Sequence, residues 1–184
     1  MRGIPNALTL LRVLLIPVFL YYTFSPQGSI AIALIIFAVA SFTDFLDGYL
    51  ARRMKVISNF GKLMDPLADK LLVLSALAGL TWLPPFRLHI AIFCVILVRE
   101  LAITILREIY KKKGIIVPAD KLGKIKTLMQ MSGIIAAYAL WAWHDPIPSE
   151  LITIIAIWFW LVAGITLSSG LNYLIGVKLP REES

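Results

Sequence analysis

The sequence predicts an all-α integral membrane protein built from six transmembrane helices, and three observations carry that expectation. Of 184 residues, 59% are hydrophobic and 16% charged, and the mean hydropathy of +0.84 exceeds what a core and a watery surface together would average. Apolar runs close to the roughly 20 residues that cross a bilayer recur along the chain, more apolar surface than one soluble domain could hide. Lys and Arg are concentrated in alternate connections. The net charge of +7 is therefore read as membrane topology rather than nucleic-acid binding.

The first span is expected at about 6–24 and the second at about 29–51, separated by the turn Ser25-Pro26-Gln27-Gly28. The first carries Arg12 and Pro17 and is followed by no small-residue cleavage site, so it reads as a retained span, kinked at Pro17. A third span at about 63–83 and a fourth at about 88–110 flank Pro84-Pro85-Phe86-Arg87. A fifth at about 122–143 and a sixth at about 150–175 flank His144-Asp145-Pro146-Ile147-Pro148. No repeat or low-complexity segment interrupts this single membrane domain, expected to occupy residues 1–184. Cys94 is the only cysteine, which excludes an intramolecular disulfide or a thiolate metal cluster.

Those three turns are nearly free of Lys and Arg, Arg87 being the exception. Arg52, Arg53, Lys55 and Lys62 gather between spans two and three. Lys111, Lys112, Lys113, Lys121, Lys124 and Lys126 surround the join of spans four and five. By the positive-inside rule these connections, and both termini with Arg2, Lys178 and Arg181, face the cytoplasm. Trp82, Trp141 and Trp143 then fall at the outer interface, where indole rings prefer to lie; Trp158 and Trp160 do not fit that belt.

Four of the 11 carboxylates, Asp44, Asp47, Asp65 and Asp69, lie in or at the ends of apolar spans, where an unpaired ionised group is costly. Asp44 and Asp47 are three apart and Asp65 and Asp69 four apart, so on helices each pair shares a face. Spans two and three are expected to be antiparallel neighbours, with the pairs facing each other near the cytoplasmic surface. Four carboxylates form a hard-oxygen cage suited to Mg²⁺ or Mn²⁺, as a pair of ions, that can clamp a diphosphate and activate a hydroxyl. Gly48 leaves the backbone approachable, Arg52 one turn on can bind phosphate at two points, and Ala51 leaves space between helices. Pairing with Arg12, Arg52 or Lys70 is the structural alternative. An ion-coupled transporter is the functional one, although such sites favour the midplane of repeated, broken helices.

The pattern Asp44-x2-Asp47-Gly48-x2-Ala51-Arg52-x8-Gly61-x3-Asp65-x3-Asp69 resembles in full the signature of the CDP-alcohol phosphotransferase family. The resemblance implies a six-helix membrane fold, a homodimer and a site open to the cytoplasm. It implies that the four aspartates hold two metal ions, that Asp69 is also the general base, and that Gly48, Ala51, Arg52 and Gly61 line the CDP and diphosphate pocket. Pro5-Asn6-x2-Thr9 resembles the family's opening, which would set Asn6 and Thr9 beside the nucleotide; by themselves they read as helix-start residues.

Arg99 and Arg107 lie in span four, and Lys124 and Lys126 begin span five. Pairing with Glu100 and Glu108 is the plain reading. The functional one is a pocket for a phosphate on the acceptor alcohol. Arg99-Glu100-x6-Arg107-Glu108 and Gly123-Lys124-x-Lys126-Thr127-x2-Gln130-Met131 are similar to the phosphatidylglycerophosphate synthases, a branch of that family. This similarity implies CDP-diacylglycerol as donor and sn-glycerol 3-phosphate as acceptor, with an inositol phosphate as the alternative acceptor.

Overall fold

Each expected span forms one helix in the computed structural model: α1 (Gly3–Phe24), α2 (Ile30–Met54), α3 (Asn59–Trp82), α4 (Ile90–Lys112), α5 (Lys121–Trp143) and α6 (Ser149–Gly176). The structure describes residues 3–54, 59–113 and 121–176, leaving aside the side chains of 3–9, 44–54, 59–66, 111, 121 and 173–176. The basic residues Arg2, Lys55, Lys178 and Arg181 lie outside the described residues. No strand occurs among the described residues.

The helices outrun the apolar stretches that predicted them. α2 continues through Arg52 and Arg53 to Met54, because helical hydrogen bonding persists through good helix formers whether or not they are apolar, and α3 begins at Asn59 rather than 63. α4 starts late, at Ile90, since the chain first turns back at Arg87 (φ 42°), where the Leu88 amide donates to Leu80 O at 2.9 Å. The α1–α2 turn closes through Gly28 N to Ser25 O at 2.8 Å; a Cβ on Gly28 would strike the Tyr22 carbonyl, so glycine is required there.

α1 packs against α2 and α3, α5 against α2 and α6, and α4 against α3 and α6. Among the described residues α2 and α3 touch each other far less than each touches α1; the aspartate side chains expected to face each other at the ends of α2 and α3 lie outside the described residues, Asp69 apart. The two halves of the bundle differ in chemistry. Toward the three short turns the core is apolar: Phe19 meets Phe37 (centroids 5.9 Å) and Tyr138 (5.6 Å), with Leu77, Leu80, Ile92, Ile96 and Phe159 buried around them. The Tyr138 hydroxyl donates to Ala76 O at 3.3 Å, and Gly79 keeps its approach open. Toward the opposite end the buried residues include Arg12, Lys126, Gln130, Thr166 and Ser169. Trp158, which did not fit the aromatic belt, is an interior contact: its Nε1 donates to Met129 O at 2.9 Å.

All six helices expose large apolar side chains, among them Leu14, Ile35, Leu71, Val98, Leu128 and Ile157. One described segment, Ser149–Asn172, is long and apolar enough by length and composition to cross a membrane, while Leu10–Phe24 and Ile30–Thr43 are shorter apolar stretches. α3, α4 and α5 interrupt their apolar runs with Asp69 and Lys70, with Arg99, Glu100 and Arg107, and with Lys124 and Lys126.

Glycine sets how closely α5 and α6 approach. A Cβ on Gly133 would lie 2.7 Å from both Cδ1 and Nε1 of Trp158, whereas one on Gly164 would meet nothing within 4 Å. Gly133→Val is expected to destabilise the protein by about 1–3 kcal/mol through overpacking, and Gly164→Ala to leave it unchanged or slightly stabilised. Thermal unfolding of the purified proteins checks this, and equal melting temperatures for both variants would refute it.

Candidate active site

At the polar end one carboxylate gathers three cations. Glu100 Oε1 accepts from Arg99 Nη1 at 3.1 Å and from Lys126 Nζ, while Lys70 Nζ lies 3.7 Å from Oε2. Lys70 also donates to Thr104 Oγ1, and the Thr104 hydroxyl donates to Glu100 O at 2.6 Å. Glu100 and Thr104 are one turn apart on α4 and so present the same face to α3. Arg99, the neighbouring residue, is turned about 100° around the helix, and its Nη2 donates to Ser169 Oγ on α6 at 2.7 Å. Gly123 lies beside that arm: a Cβ there would be in ordinary contact with Arg99 Nη2, at 3.6 Å.

Burial makes these contacts consequential. The Lys126 side chain is 5% exposed and that of Glu100 14%, and a charge removed from water on an apolar helix is tolerated only beside an opposite one. Asp69, Lys70, Glu100, Lys126 and Gln130 line one cavity of about 40 Å³. Asp69 lies within electrostatic reach of Lys70 and Lys126.

The structure thus brings Asp69, Arg99 and Lys126 together at one end of the bundle. It does not gather the whole expected acceptor set. Arg107 and Lys124 are exposed: Arg107 follows Arg99 by two turns and comes within electrostatic reach of Lys70, and Lys124, two residues before Lys126, falls on another side of α5. The expectation that Glu100 pairs these cations holds for Arg99 and Lys126. In the sequence Lys70 stands out only as a pairing partner for the aspartates, and Gln130 only as part of a motif. The signal for both was a polar residue inside an apolar run.

The remaining expected residues are placed by helix position alone. Asn6 and Thr9 lie on the first turns of α1, Asp44, Asp47, Gly48, Ala51 and Arg52 on the C-terminal half of α2, and Gly61 and Asp65 near the start of α3; their side chains lie outside the described residues. Asp44 and Asp47 fall within α2, and Asp65 and Asp69 within α3. No group of three His, Cys, Asp or Glu side chains able to hold a metal occurs among the described residues, which include only Asp69 of the four.

An all-helical bundle with a charged, partly buried pocket at one end is the class these features define. Residues 2–167 match the family model of the CDP-alcohol phosphatidyltransferases, and the chain belongs to that family. It is 38% identical over 187 aligned positions to the CDP-diacylglycerol–glycerol-3-phosphate 3-phosphatidyltransferase of Bacillus subtilis (strain 168), covering 94% of each chain. It is 33% identical to the protein of the same name from Rickettsia typhi, covering 97% of this chain and 98% of that one. A probable phosphatidylglycerophosphate synthase of Mycobacterium tuberculosis is 41% identical over 136 residues, 72% of this chain and 64% of the relative.

Glu100→Gln is expected to strip Lys126 and Arg99 of their shared counter-charge and destabilise the protein by about 3–5 kcal/mol. Adding Lys126→Met should recover part of that loss. Denaturation of the single and double variants measures the coupling, and strictly additive effects would show that the contact does not hold α4 to α5.

Proposed function

We propose that this protein transfers the phosphatidyl group of CDP-diacylglycerol to the primary hydroxyl of sn-glycerol 3-phosphate, releasing CMP and forming phosphatidylglycerophosphate. The observation that carries the reading is the cavity that joins Asp69 to Lys126 and its partners in a chain of this family. Three cations against Glu100 leave that cluster short of negative charge, which a phosphate on the acceptor would supply. An uncharged acceptor has no use for it. An inositol phosphate would use similar cations; the names of the relatives favour the glycerol ester. Membership of a transferase family removes the ground for the ion-coupled transporter.

The chain acts as one membrane domain in the cytoplasmic membrane, with its termini and active site on the cytoplasmic side. The apolar residues exposed on every helix support insertion, and the alternation of basic connections supports the orientation. The charges of α3 to α5 are compatible with spanning because those described as buried are turned inward and paired. A homodimer belongs to the same reading.

In this reading the donor's acyl chains stay among the lipids while Asn6, Thr9, Gly48, Ala51, Arg52 and Gly61 border its CDP moiety. Lys126 and Arg99 bind the acceptor phosphate, with Arg107 and Lys124 drawing it in from the exposed side. Asp69 takes the proton of the primary hydroxyl. The hydroxyl oxygen attacks the phosphorus that bears the diacylglycerol, the bond to the bridging diphosphate oxygen breaks, and Arg52 stabilises the charge gathering on departing CMP. The all-oxygen set Asp44, Asp47, Asp65 and Asp69 fits Mg²⁺ or Mn²⁺, as a pair of ions, which when bound supply Lewis-acid neutralisation of the diphosphate.

CMP release from CDP-diacylglycerol by the detergent-purified protein is expected to require Mg²⁺ or Mn²⁺ and glycerol 3-phosphate, and to stop with EDTA. Release with inositol phosphate but not glycerol 3-phosphate would overturn the acceptor, and metal-independent release the aspartate cage. Asp69→Asn should lower kcat with donor binding partly retained. Lys126→Ala should raise KM for glycerol 3-phosphate about tenfold to a hundredfold, the loss expected for a charge-assisted contact, and far more than KM for the donor; equal rises would mark a structural role instead.

A further inference from the structure

Several of the polar side chains buried in this bundle have identifiable partners. The hydroxyls of Thr43, Thr81 and Thr166 donate to carbonyls one turn back at 2.7, 2.8 and 2.6 Å, Ser169 accepts from Arg99, and Lys126 donates to Glu100. Gln130 differs. It is 2% exposed, and among the described residues neither its Nε2 nor its Oε1 has a hydrogen-bond partner. Burying an amide in this state is unfavourable, and Leu or Met would fill the same volume without that cost. Its surroundings locate the missing partner. Gln130 lies on α5 one turn after Lys126 and lines the same cavity as Asp69, Glu100 and Lys126.

We propose that Gln130 is a specificity-determining residue whose carboxamide hydrogen-bonds the secondary hydroxyl of the acceptor, glycerol 3-phosphate. This rests on the acceptor reading above. The residues of the cavity wall divide that molecule among them: Lys126 takes the phosphate on C3, Asp69 the reacting hydroxyl on C1, and Gln130 the hydroxyl on C2 between them. One helical turn, about 5.4 Å, is of the same order as the short bond path from phosphorus to the C2 oxygen. A hydroxyl both donates and accepts, and a primary amide answers both roles without charge. A carboxylate at this position would compete with the phosphate for Lys126, and a cation would repel it. The Lys126–Glu100 contact borders a cavity of about 40 Å³, and exchanging Glu100 for phosphate as the partner of Lys126 opens it to the acceptor.

The test compares glycerol 3-phosphate with 3-hydroxypropyl phosphate, which lacks only the C2 hydroxyl, using full-length wild type, Gln130→Met and Gln130→Leu with CDP-diacylglycerol and Mg²⁺. Wild type is expected to prefer glycerol 3-phosphate by about tenfold to a hundredfold in kcat/KM, since a site built to bond a hydroxyl rejects the analogue without it. Gln130→Met should lose that preference, falling on glycerol 3-phosphate while keeping its rate on the analogue and its KM for the donor. A merely structural residue would lower both acceptors equally, and that outcome in both variants overturns the proposal. Should neither variant fold, Gln130→Asn, which keeps the amide but withdraws it by one methylene, takes their place under the same expectation, and no preference between the acceptors by wild type overturns the assignment by itself. No CMP release with glycerol 3-phosphate by wild type overturns the acceptor reading and this inference together; release without preference overturns this inference only.

Discussion

Lys70, Arg99 and Lys126 can sit among apolar helices because Glu100 lies between them. Through that one carboxylate α3 and α5 are tied to α4, and Arg99 carries the tie to Ser169 on α6. In a medium of low dielectric the Coulomb attraction is strong, but each partner gives up hydration to obtain it, so the cluster specifies geometry more than it adds net stability. A charge held there is also available for exchange. An anionic ligand replaces one carboxylate by another set of oxygens without returning the cations to water.

The opposite end of the bundle supplies the rigidity. Phe19, Phe37, Tyr138 and the residues packed around them form an interior without an ionised group, closed by short turns that hold α1 to α2, α3 to α4 and α5 to α6. Gly79 and Gly133 let rings approach the helix backbone where a Cβ would block them. The polar end therefore rests on helices whose spacing is fixed elsewhere. Binding energy from the lipid and the nucleotide can then be used to position the reacting groups rather than to order the scaffold.

A lipid donor and a soluble, doubly charged acceptor must meet at one point. The bundle is suited to that meeting because its exterior is apolar on every helix while its polar interior lies toward one end. Ionisable groups turned inward keep the outer surface compatible with hydrocarbon, and those at the exposed edge, Arg107 and Lys124, extend the positive field outward.

The number and order of helices, and the residue types able to handle a diphosphate, were readable from the sequence alone. Hydropathy and turn chemistry are local properties, and the Asp44 to Asp69 pattern is a fixed spacing along one stretch of chain. The exact helix ends were less so, because backbone hydrogen bonding does not stop where side chains become polar. Which cations share a carboxylate was decided only by the tertiary structure. Arg99, Arg107, Lys124 and Lys126 look equivalent in the sequence, but helix rotation and packing bury Lys126 against Glu100, send Arg99 on to Ser169 and leave Arg107 and Lys124 outside. The same holds for Gln130, ordinary in the sequence until folding buries its amide without a hydrogen-bond partner among the described residues, in the wall of the cavity that Asp69 and Lys126 line.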